Sequence, residues 1–546
     1  MALERPNATP RQRSAAPQAT RQPHAAEWLV ALAVAAVALV AYLTTLAPTI
    51  TWSHSGADGG DLITAAATDG VPHPTGYPTY LLLAKPFLLL PWGDLAWRLN
   101  LMSAVFASLS VGLLYLSAIR TLRMLGNRAI AVQHHIVAAA AALAFAFSPV
   151  LWSQAVITEV YALNAAFFSL ILYLVLSWME NRRPLSLLLA GAAFGFGLGN
   201  HLTLVLAVPG IALLFLLWPR LLPDRRWLLL ALSVASLLGL SIYALLPIRA
   251  SQAPPVNWGD PRTVGRFIWL VTGRLYRRYS FNLPLRYLLA RLAAWARLLA
   301  HQFGSWGLFI GLAGVWSLWE KARHFAAACV VMAATYSVYA IGYDTSDSHV
   351  YLIPTFLVFA LWLAWGLDWL LAIIQPLITP VSPQVVRGAA VSLALVIPLV
   401  SFIGNRASVD VSSDFVARDY GLSVMQNVQP EAVVITQTDA HGFTLNYYRY
   451  AKKKRLDVAL LDEQLLYHDW YRQHLPRIHS RIALPDRTVF LSGGTTMCPT
   501  SLLVAAIEAN RARFPVYLTD PDAELRACYA LSQEGDVYRV TGRRDG

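Results

Sequence analysis

A polar stretch between the first two hydrophobic segments carries the residues best suited to chemistry. Residues 52–100 hold two carboxylates, Asp58 and Asp61, three residues apart in a glycine-rich sequence. If this segment is helical, that spacing places both side chains on one face. A carboxylate near a low-dielectric boundary has its pKa raised towards neutrality, which suits a general base. The alternative is a solvated Asp/Gly turn that only leads the chain out of the first hydrophobic segment.

A short turn follows the two carboxylates. Residues 73–78 read His-Pro-Thr-Gly-Tyr-Pro. The two prolines fix the backbone dihedral φ, and Gly76 allows a backbone conformation that other residues avoid. Such a turn could hold His73 and Tyr77 rigidly beside the carboxylates. It could also serve only to return the loop to the next hydrophobic segment.

Polar residues interrupt apolar sequence at two further places. Glu159, followed by Tyr161, stands where the third hydrophobic segment gives way to the fourth. A helix dipole favours an acid at a helix start, but an ionisable residue beside an apolar core is also a site candidate. Asn200 and His201 separate two other apolar runs. They either hydrogen-bond a neighbouring helix or contact a ligand.

The composition is that of a polytopic membrane protein. Of the 546 residues, 56% are hydrophobic and 14% are charged, whereas soluble domains carry about 25% charged residues. The net charge of +12 is spread over many short loops, so it predicts membrane orientation and not nucleic-acid binding. Cys329, Cys498 and Cys528 lack metal-binding spacing. Cys498 and Cys528 could pair if the C-terminal part is extracytosolic.

Apolar runs long enough to cross a bilayer define the domain organisation, since a crossing helix needs about 20 such residues. We predict an α-helical polytopic membrane protein with about eleven crossings and a C-terminal soluble α/β domain. The three parts are a disordered cytoplasmic tail at 1–27, a membrane domain at 28–404 with its first extracytosolic loop at 48–98, and an extracytosolic α/β domain at 405–546. The predicted spans are 28–47, 99–119, 129–149, 158–178, 185–199, 202–218, 227–247, 304–319, 324–343, 351–374 and 387–404.

Charge in the short loops predicts the orientation, because basic residues favour the cytoplasmic side. The segment 283–300 carries arginines among Leu, Trp and Ala, and we interpret it as an amphipathic helix in the membrane interface. Residues 79–91, an apolar run that is short and broken by Pro86, are also predicted to lie in the interface. If 283–300 crossed instead, residues 405–546 would change side. The acids predicted to share the extracytosolic face are Asp58, Asp61, Asp69, Glu159, Asp260, Asp344 and Asp347.

From about residue 405 the sequence becomes that of a soluble domain. Alternating β-rich and helix-like runs predict a small α/β unit with a largely parallel sheet. Neither a GxGxxG nor a P-loop motif is present, so no nucleotide site is predicted. The predicted strands are 432–436, 457–461, 488–492 and 514–519, and the predicted helices are 444–453, 463–475 and 500–513.

The motifs of the first loop occur together and in order, and they resemble the transmembrane O-mannosyltransferase-like family of the GT-C glycosyltransferase superfamily. That family reads roughly Asp-Ser-Gly-Glu-Leu, His-Pro-Pro-Gly-Tyr-Pro-Leu-Tyr and Arg-x-Asn-Leu-x-Ser. The chain departs from the pattern at Asp61, where Glu is more usual, and at Thr75, which replaces a proline. The segments that match are 58–62, 73–80, 98–104, 154–161 and 197–201, with 435–439, 455–458 and 470–471 in the soluble part.

The resemblance implies an inverting glycosyltransferase of the cell membrane that needs neither metal nor cofactor. It would move a sugar, such as mannose, from a polyprenyl-phosphate donor to a hydroxyl, for example of protein Ser or Thr, on the extracytosolic face. Asp58 or Asp61 would deprotonate the acceptor, and Arg98, Lys85 or an arginine of 249–300 would meet the phosphate. The residues expected around the substrate are His73, Tyr77, Arg98, Glu159, Tyr161, Asn200 and His201.

Two other functions remain open at this point. The transferase could act on a lipid or a cell-envelope glycan instead of a protein. A lipid-linked sugar transporter or flippase is the alternative from another class, and transporters tend to show internal repeats and mid-membrane charges. The sequence shows no repeat, and its acids collect on one face, which favours the transferase.

Overall fold

The structure, a computed structural model, describes residues 25–126, 130–218, 225–377, 383–485 and 501–544. Most of the predicted tail at 1–27 therefore lies outside the described residues, and the first helix begins at Ala25. The helices up to residue 251 are α1 (Ala25–Leu43), α2 (Gly59–Ala67), α3 (Pro78–Leu88), α4 (Leu95–Gly126), α5 (Val132–Ala146), α6 (Pro149–Ala155), α7 (Tyr161–Asn181), α8 (Pro184–Leu198), α9 (Val208–Leu217), α10 (Arg225–Leu240) and α11 (Leu245–Ser251).

Helices continue through the rest of the membrane part and into the C-terminal part. They are α12 (Val264–Val271), α13 (Leu288–Gly342), α14 (Ile353–Leu377), α15 (Pro383–Val409), α16 (Val416–Asn427), α17 (Asp439–Asn446), α18 (Asp469–Ile478), α19 (Leu502–Arg511) and α20 (Ala523–Cys528). Four short 3₁₀ segments matter for the site, namely Ser53–Asp58, Leu202–Ala207, Arg274–Tyr279 and Ser348–Leu352.

The described helices include those that a polytopic membrane protein needs. Six are long and apolar enough to cross a bilayer, and α5 with α6 forms a seventh candidate bent by 66°. Three shorter apolar helices span Pro184–Leu198, Leu202–Leu217 and Ala394–Val409. Each of the eleven predicted spans falls on one of these helices, so the predicted fold class is confirmed. Which side of the membrane each loop occupies stays a prediction.

Helix α13 contains more than one of the predicted elements. Its backbone leaves the helical region at Gly304 and at Ala322, which separates the predicted spans 304–319 and 324–343 from each other and from the segment before them. That preceding segment is the amphipathic stretch 283–300. It is helical from Leu288, and apolar residues such as Leu285 and Leu289 are exposed on it. Its placement in the interface stays a prediction.

A buried ionic network joins the ends of three helices that lie farthest from the first loop. Arg120 on α4 contacts Glu180 on α7 at 2.7 Å, and Arg123 contacts both Glu180, at 3.1 Å, and Glu27 on α1. Glu27 and Arg120 are almost inaccessible to solvent. Buried charges persist only when they are paired, so this network fixes α1, α4 and α7 relative to one another.

The C-terminal part contains a five-stranded sheet in the order β2-β1-β3-β5-β4. Strand β1 pairs in parallel with β2 and β3, whereas β5 pairs in antiparallel fashion with β3 and β4. The prediction of a largely parallel sheet was therefore wrong, because β4 and β5 are joined by a two-residue turn that permits only antiparallel pairing. The predicted strand at 488–492 lies outside the described residues. The strands are β1 (Val433–Thr436), β2 (Ala459–Asp462), β3 (Val516–Leu518), β4 (Tyr529–Glu534) and β5 (Val537–Arg543).

The C-terminal domain docks directly onto the first loop. Asp94, in that loop, accepts hydrogen bonds from Tyr447 and, at 2.9 Å, from Lys452. Trp52 donates to Thr444 at 3.0 Å from the other side of the loop. These contacts hold α17 and the segment that follows it, Tyr447–Ala451, against α2.

Helices α13 and α14 cross at a point where only glycine fits, and this crossing yields a test of the packing. A Cβ added at Gly366 would lie 1.8 Å from the carbonyl oxygen of Ile310. We therefore expect Gly366→Ala to destabilise the protein by about 1–3 kcal/mol, the usual cost of overpacking. Thermal unfolding in detergent, followed by size-exclusion chromatography, measures this loss.

Gly404→Ala is the matched control. Gly404 lies in helix α15, and an added Cβ there meets nothing within 4 Å. Alanine in a helix is favoured over glycine by about 0.5–1 kcal/mol, so this variant should unfold at the same temperature or a higher one. Equal unfolding temperatures for the two variants would contradict the packing described at Gly366.

Candidate functional site

The two predicted carboxylates lie at the start of helix α2. The segment Ser53–Asp58 leads into the helix, so Asp58 directly precedes α2 and Asp61 lies in its first turn. Gly60, between them, makes this placement feasible, since a Cβ there would lie 2.7 Å from the carbonyl oxygen of Phe443 on α17. The glycine-rich motif thus lets α2 approach the C-terminal domain at backbone distance.

His73 bridges the two carboxylates. Its Nδ1 lies 2.8 Å from Asp61 Oδ2, and its Nε2 lies 3.4 Å from Asp58 Oδ2. The same Asp61 oxygen accepts the His73 backbone N–H at 2.8 Å, while Trp258 Nε1 donates to the other oxygen at 3.2 Å. Asp61 is therefore fully hydrogen-bonded, and only 1% of its side chain is exposed. Its geometry is that of a residue that orients His73.

The turn that follows His73 has the rigidity that its sequence predicts. The Gly76 N–H donates to the His73 carbonyl at 2.9 Å, and Gly76 adopts a φ of +85°, which glycine tolerates best. Tyr77 also has a positive φ, and its hydroxyl donates to the Pro74 carbonyl at 3.1 Å. Helix α3 begins at the next residue, so the turn fixes His73 relative to the membrane helices.

The electrostatics of the cluster separate its two carboxylates. Burial opposes a charge on His73, but Asp58 and Asp61 outweigh that effect and raise its pKa to about 9. The side chain of Asp58 is 43% exposed. Its partial desolvation by the surrounding protein, opposed by the charge of His73 and helped by neighbouring acids, raises the pKa of Asp58 to about 6. Near neutral pH the pair is therefore an imidazolium and a carboxylate that solvent and ligands can reach.

Glu159 joins the cluster as a third acid. It lies in the short loop between α6 and α7 and is almost fully buried. Burial, followed by the neighbouring charge of Asp58, raises its pKa well above the ordinary value, so Glu159 favours its neutral form. Asn200 holds the loop in place, because its side-chain amide donates to the Val160 carbonyl at 3.0 Å.

Several aromatic side chains lie close together around His201, next to the cluster. His201 lies 5.5 Å from Tyr161 and 5.7 Å from Tyr351 between ring centroids, and it stacks on Tyr77 at 6.4 Å. Burial lowers the His201 pKa to about 4, so its imidazole is neutral, and its Nδ1 contacts the Thr203 hydroxyl at 2.7 Å. Together with Tyr343, 5.3 Å from Tyr351, these rings form a wall of flat surfaces with polar edges, which suits a sugar.

The structure places Arg98 and Lys85 differently from the prediction. The Arg98 guanidinium donates to the carbonyls of Leu88 and Trp92, where it closes the end of α3. Lys85 pairs with Asp69 at 2.7 Å. Both cations already have partners away from the Asp58 and His73 pair, so their predicted role at a phosphate receives no geometric support.

Seven of the nine arginines of 249–300 fall into two groups. In the first group, Arg249 contacts Asp69, Arg262 and Arg266 pair with Asp260, and Arg291 donates to backbone carbonyls at the C-terminal end of α13. The second group consists of Arg274, Arg277 and Arg278 in the segment Arg274–Tyr279, all of which are exposed. Gly273, which directly precedes this segment, lies beside the turn at 73–78, since a Cβ there would lie 3.5 Å from the Thr75 methyl group.

An apolar groove begins beside the same turn. It lies between α3, α7 and α8, and its volume is about 380 Å³. Thr79 stands at its polar end and donates to the Phe196 carbonyl at 2.7 Å. The remaining lining residues include Leu82, Leu83, Phe167, Leu170, Leu174, Leu189, Ala192 and Ala193.

Sequence reasoning missed several residues of the site. Trp258 and Phe443 pack against His73, although both lie far from it in sequence. Their ring centroids are 6.3 Å and 6.2 Å from that of His73. Tyr351 lies in the segment Ser348–Leu352, a region in which the sequence pointed only to the acids Asp344 and Asp347. Within the described ranges there is no group of three or more His, Cys, Asp or Glu residues that could hold a metal ion. Cys498, the possible partner of Cys528, lies outside the described residues.

Known proteins of similar sequence are named protein O-mannosyl-transferases. Residues 58–220 match the family model described as the protein O-mannosyl-transferase TMEM260 N-terminal domain. The mouse protein O-mannosyl-transferase TMEM260 is 27% identical over 485 residues, which cover 82% of this chain. The Dictyostelium discoideum protein of the same name is 23% identical and covers 90% of this chain. The chain spans 65% of the length of each of these two relatives.

Solved structures of similar fold are membrane proteins as well. ArnT from Cupriavidus metallidurans bound to undecaprenyl phosphate superposes with a TM-score of 0.56 at 14% identity, over 95% of this chain and 98% of that one. The Archaeoglobus fulgidus oligosaccharyltransferase in its apo form gives a TM-score of 0.53 at 13% identity, over 94% of this chain and 75% of that one. At such identities the likeness shows the fold alone.

The fold therefore defines the class: this is an integral membrane protein with the GT-C fold. Within that class, the chain resembles the TMEM260 protein O-mannosyl-transferases, as its first-loop motifs predict.

The different surroundings of the two carboxylates predict different effects of the same substitution on stability. Asp61→Asn places an amide where an inaccessible carboxylate accepts three hydrogen bonds. We expect a loss of about 1–3 kcal/mol, the cost of a buried polar group left unsatisfied. The half-exposed Asp58 should tolerate Asn with a smaller loss. Thermal unfolding of the two variants in detergent compares them, and an equal loss would contradict the division of roles.

Proposed function

We propose that the protein is an inverting glycosyltransferase that takes its sugar from a polyprenyl-phosphate donor. One observation carries this proposal: Asp58 is a reachable carboxylate with a pKa of about 6, paired with His73, and an apolar groove begins at Thr79, directly after the turn that carries His73. A base and an apolar groove joined by one turn suit the transfer of a lipid-borne sugar to a hydroxyl. The TMEM260 relatives and the ArnT structure with undecaprenyl phosphate support this choice of chemistry.

Asp58 acts as the general base in this proposal. The acceptor oxygen attacks the anomeric carbon while Asp58 takes the hydroxyl proton, and the bond from that carbon to the phosphate oxygen breaks with its electron pair on the phosphate. Asp61 is too buried to receive the proton. It orients His73 instead, and the resulting imidazolium holds the Asp58 carboxylate in position. Such a base typically contributes a factor of about 10² to 10⁴ in rate.

The donor would lie across the boundary of the membrane. Its isoprenoid tail fits the apolar groove that begins at Thr79, and its phosphate would reach the exposed arginines of Arg274–Tyr279. Arginine binds phosphate oxygens with two parallel hydrogen bonds. The sugar would rest against Tyr161, His201 and Tyr351, with the neutral Glu159 able to donate a hydrogen bond.

The acceptor is a protein hydroxyl in this proposal, since the relatives are named protein O-mannosyl-transferases, and the sugar is mannose for the same reason. The site faces the extracytosolic side of the cell membrane, because the acids gather at the face opposite the basic loops. Transfer to a lipid or a cell-envelope glycan would use the same base. The choice of acceptor in the assay separates these possibilities.

Removal of the base tests the proposal. Purified protein, incubated with radiolabelled polyprenyl-phosphate mannose and an acceptor peptide rich in Ser and Thr, should transfer or hydrolyse the sugar. Asp58→Asn should lower kcat at least about 100-fold, as expected for loss of a general base. Asp69→Asn, in the same loop and 56% exposed, is the control and should retain activity. Full activity of Asp58→Asn would remove the base from this loop.

The pH profile gives a second test. Asp58 must be ionised to accept a proton, so kcat/KM should rise as the pH increases through about 6 and then level off. It should fall again as His73 loses its proton near pH 9. In His73→Gln the neighbouring cation is lost, so the Asp58 pKa rises and the lower limb moves to higher pH, by about 1–3 units for a close ion pair. A lower limb that stays in place would contradict the pairing.

A further inference from the structure

Helix α17 of the C-terminal domain reaches the centre of the first-loop site. The Phe443 ring stacks on the His73 imidazole, with centroids 6.2 Å apart and planes inclined by 16°. Trp258 packs against both rings, with its centroid 6.3 Å from His73 and 6.2 Å from Phe443, and Tyr77 lies 5.0 Å from His73. His73 is 5% exposed and Phe443 is 3% exposed. The imidazole is thus packed against Tyr77 and Trp258 from the membrane domain and Phe443 from the C-terminal domain.

Three contacts fix the position of α17 independently of that stack. Gly60 meets the Phe443 backbone at a distance that only glycine allows. Trp52 donates to Thr444 at 3.0 Å, and Tyr447 donates to Asp94. The helix is therefore held against the catalytic loop by its backbone and by both flanks of the loop, which makes the orientation of Phe443 well determined.

Asp439 lies on the same face of the helix as Phe443. The two residues are four positions apart, and such residues are neighbours on a helix surface. The Asp439 carboxylate lies within electrostatic reach of Asp58, His73 and Asp61. In the part of the chain that the structure describes, it has neither an ion pair nor a hydrogen-bond partner. It is an exposed carboxylate that the C-terminal domain contributes beside the cluster.

We propose that the C-terminal domain completes the catalytic site through α17, with Phe443 as a positioning residue for His73 and Asp439, on the same face of the helix, as a further carboxylate beside the cluster. The Phe443 ring excludes water from His73 and blocks rotation of the imidazole, so both of its nitrogen atoms stay directed at the carboxylates. The proposal rests on the proposed function only for its activity measurements.

Asp439 would act by making Asp58 a stronger base. The titratable groups that face Asp58 are His73 from the turn, Asp61 from α2, Glu159 from the loop before α7, Asp347 from the loop before α14, and Asp439 from α17. Asp61, Asp347 and Asp439 favour the protonated form of Asp58, and His73 opposes them. Asp439→Asn removes one of these acids, so the lower limb of the pH profile should move to lower pH. An unchanged limb would refute the role of Asp439.

The role of Phe443 can be measured without any activity assay. Hydrogen–deuterium exchange at the carbon between the two His73 nitrogen atoms, read by mass spectrometry of the full-length protein in detergent, reports both the accessibility and the pKa of the imidazole. We expect slow exchange in the wild type and severalfold faster exchange in Phe443→Ala. Phe443→Tyr retains the ring and should restore slow exchange.

Phe514→Ala is the matched control, because Phe514 belongs to the other apolar core of the C-terminal domain, around strand β3. It loses the same number of atoms but should leave His73 protected. If Phe443→Ala leaves His73 as protected as in the wild type, or if Phe514→Ala exposes it equally, the positioning role is refuted.

Activity measurements extend the test and separate it from the proposed function. Phe443→Ala should lower kcat at least about tenfold, as expected when a catalytic group is misplaced, while KM for the donor stays unchanged and Phe443→Tyr restores kcat. If His73 becomes exposed in Phe443→Ala but wild-type protein transfers no sugar from any polyprenyl phosphate, the proposed function fails and the positioning role stands. Wild-type kcat in Phe443→Ala would refute the positioning role.

Discussion

The contact between a buried imidazole and two carboxylates, one buried and one exposed, sets the properties of this site. A buried charge is stable only if it is paired, and here one cation faces two anions. Asp61 is surrounded by donors and hidden, so the remaining negative charge falls on Asp58, which lies at the open end. The arrangement keeps a carboxylate ionised near neutral pH and directs it into a cleft.

That contact draws on four separate parts of the chain. The first loop supplies the carboxylates and His73, the segment around Trp258 supplies a donor to Asp61, the loop before α7 supplies Glu159, and α17 supplies Phe443. The buried ionic network at the other end of α1, α4 and α7 fixes the helices, and the bonds to Asp94 and Trp52 fix the C-terminal domain onto the loop. A shift of the membrane helices or of the C-terminal domain would move the residues of the cluster apart.

Much of this architecture follows from sequence because its signals are local. Apolar runs locate the helices, the HPTGYP turn has the rigidity that Gly76 and two prolines predict, and the spacing of Asp58 and Asp61 brings both to one histidine. What sequence could not provide depends on tertiary contacts. Arg98 carries the positive charge that could bind a phosphate, but its guanidinium already donates hydrogen bonds to two backbone carbonyls. Trp258 and Phe443 are ordinary apolar residues until folding packs them against His73. The hairpin of β4 and β5 differs, because Gly535-Asp536 is a two-residue turn signal that the predicted strands leave out.

The central claim is that a lipid-borne phosphate meets the Asp58 and His73 pair at the membrane boundary. A cryo-electron microscopy structure of the protein with undecaprenyl phosphate tests it most directly. The account predicts density for the phosphate in the cleft between Asp58 and the segment Arg274–Tyr279, with the isoprenoid tail running along the groove below Thr79. Density for the phosphate at the opposite end of the helices, or in a groove that does not open onto Asp58, would contradict it.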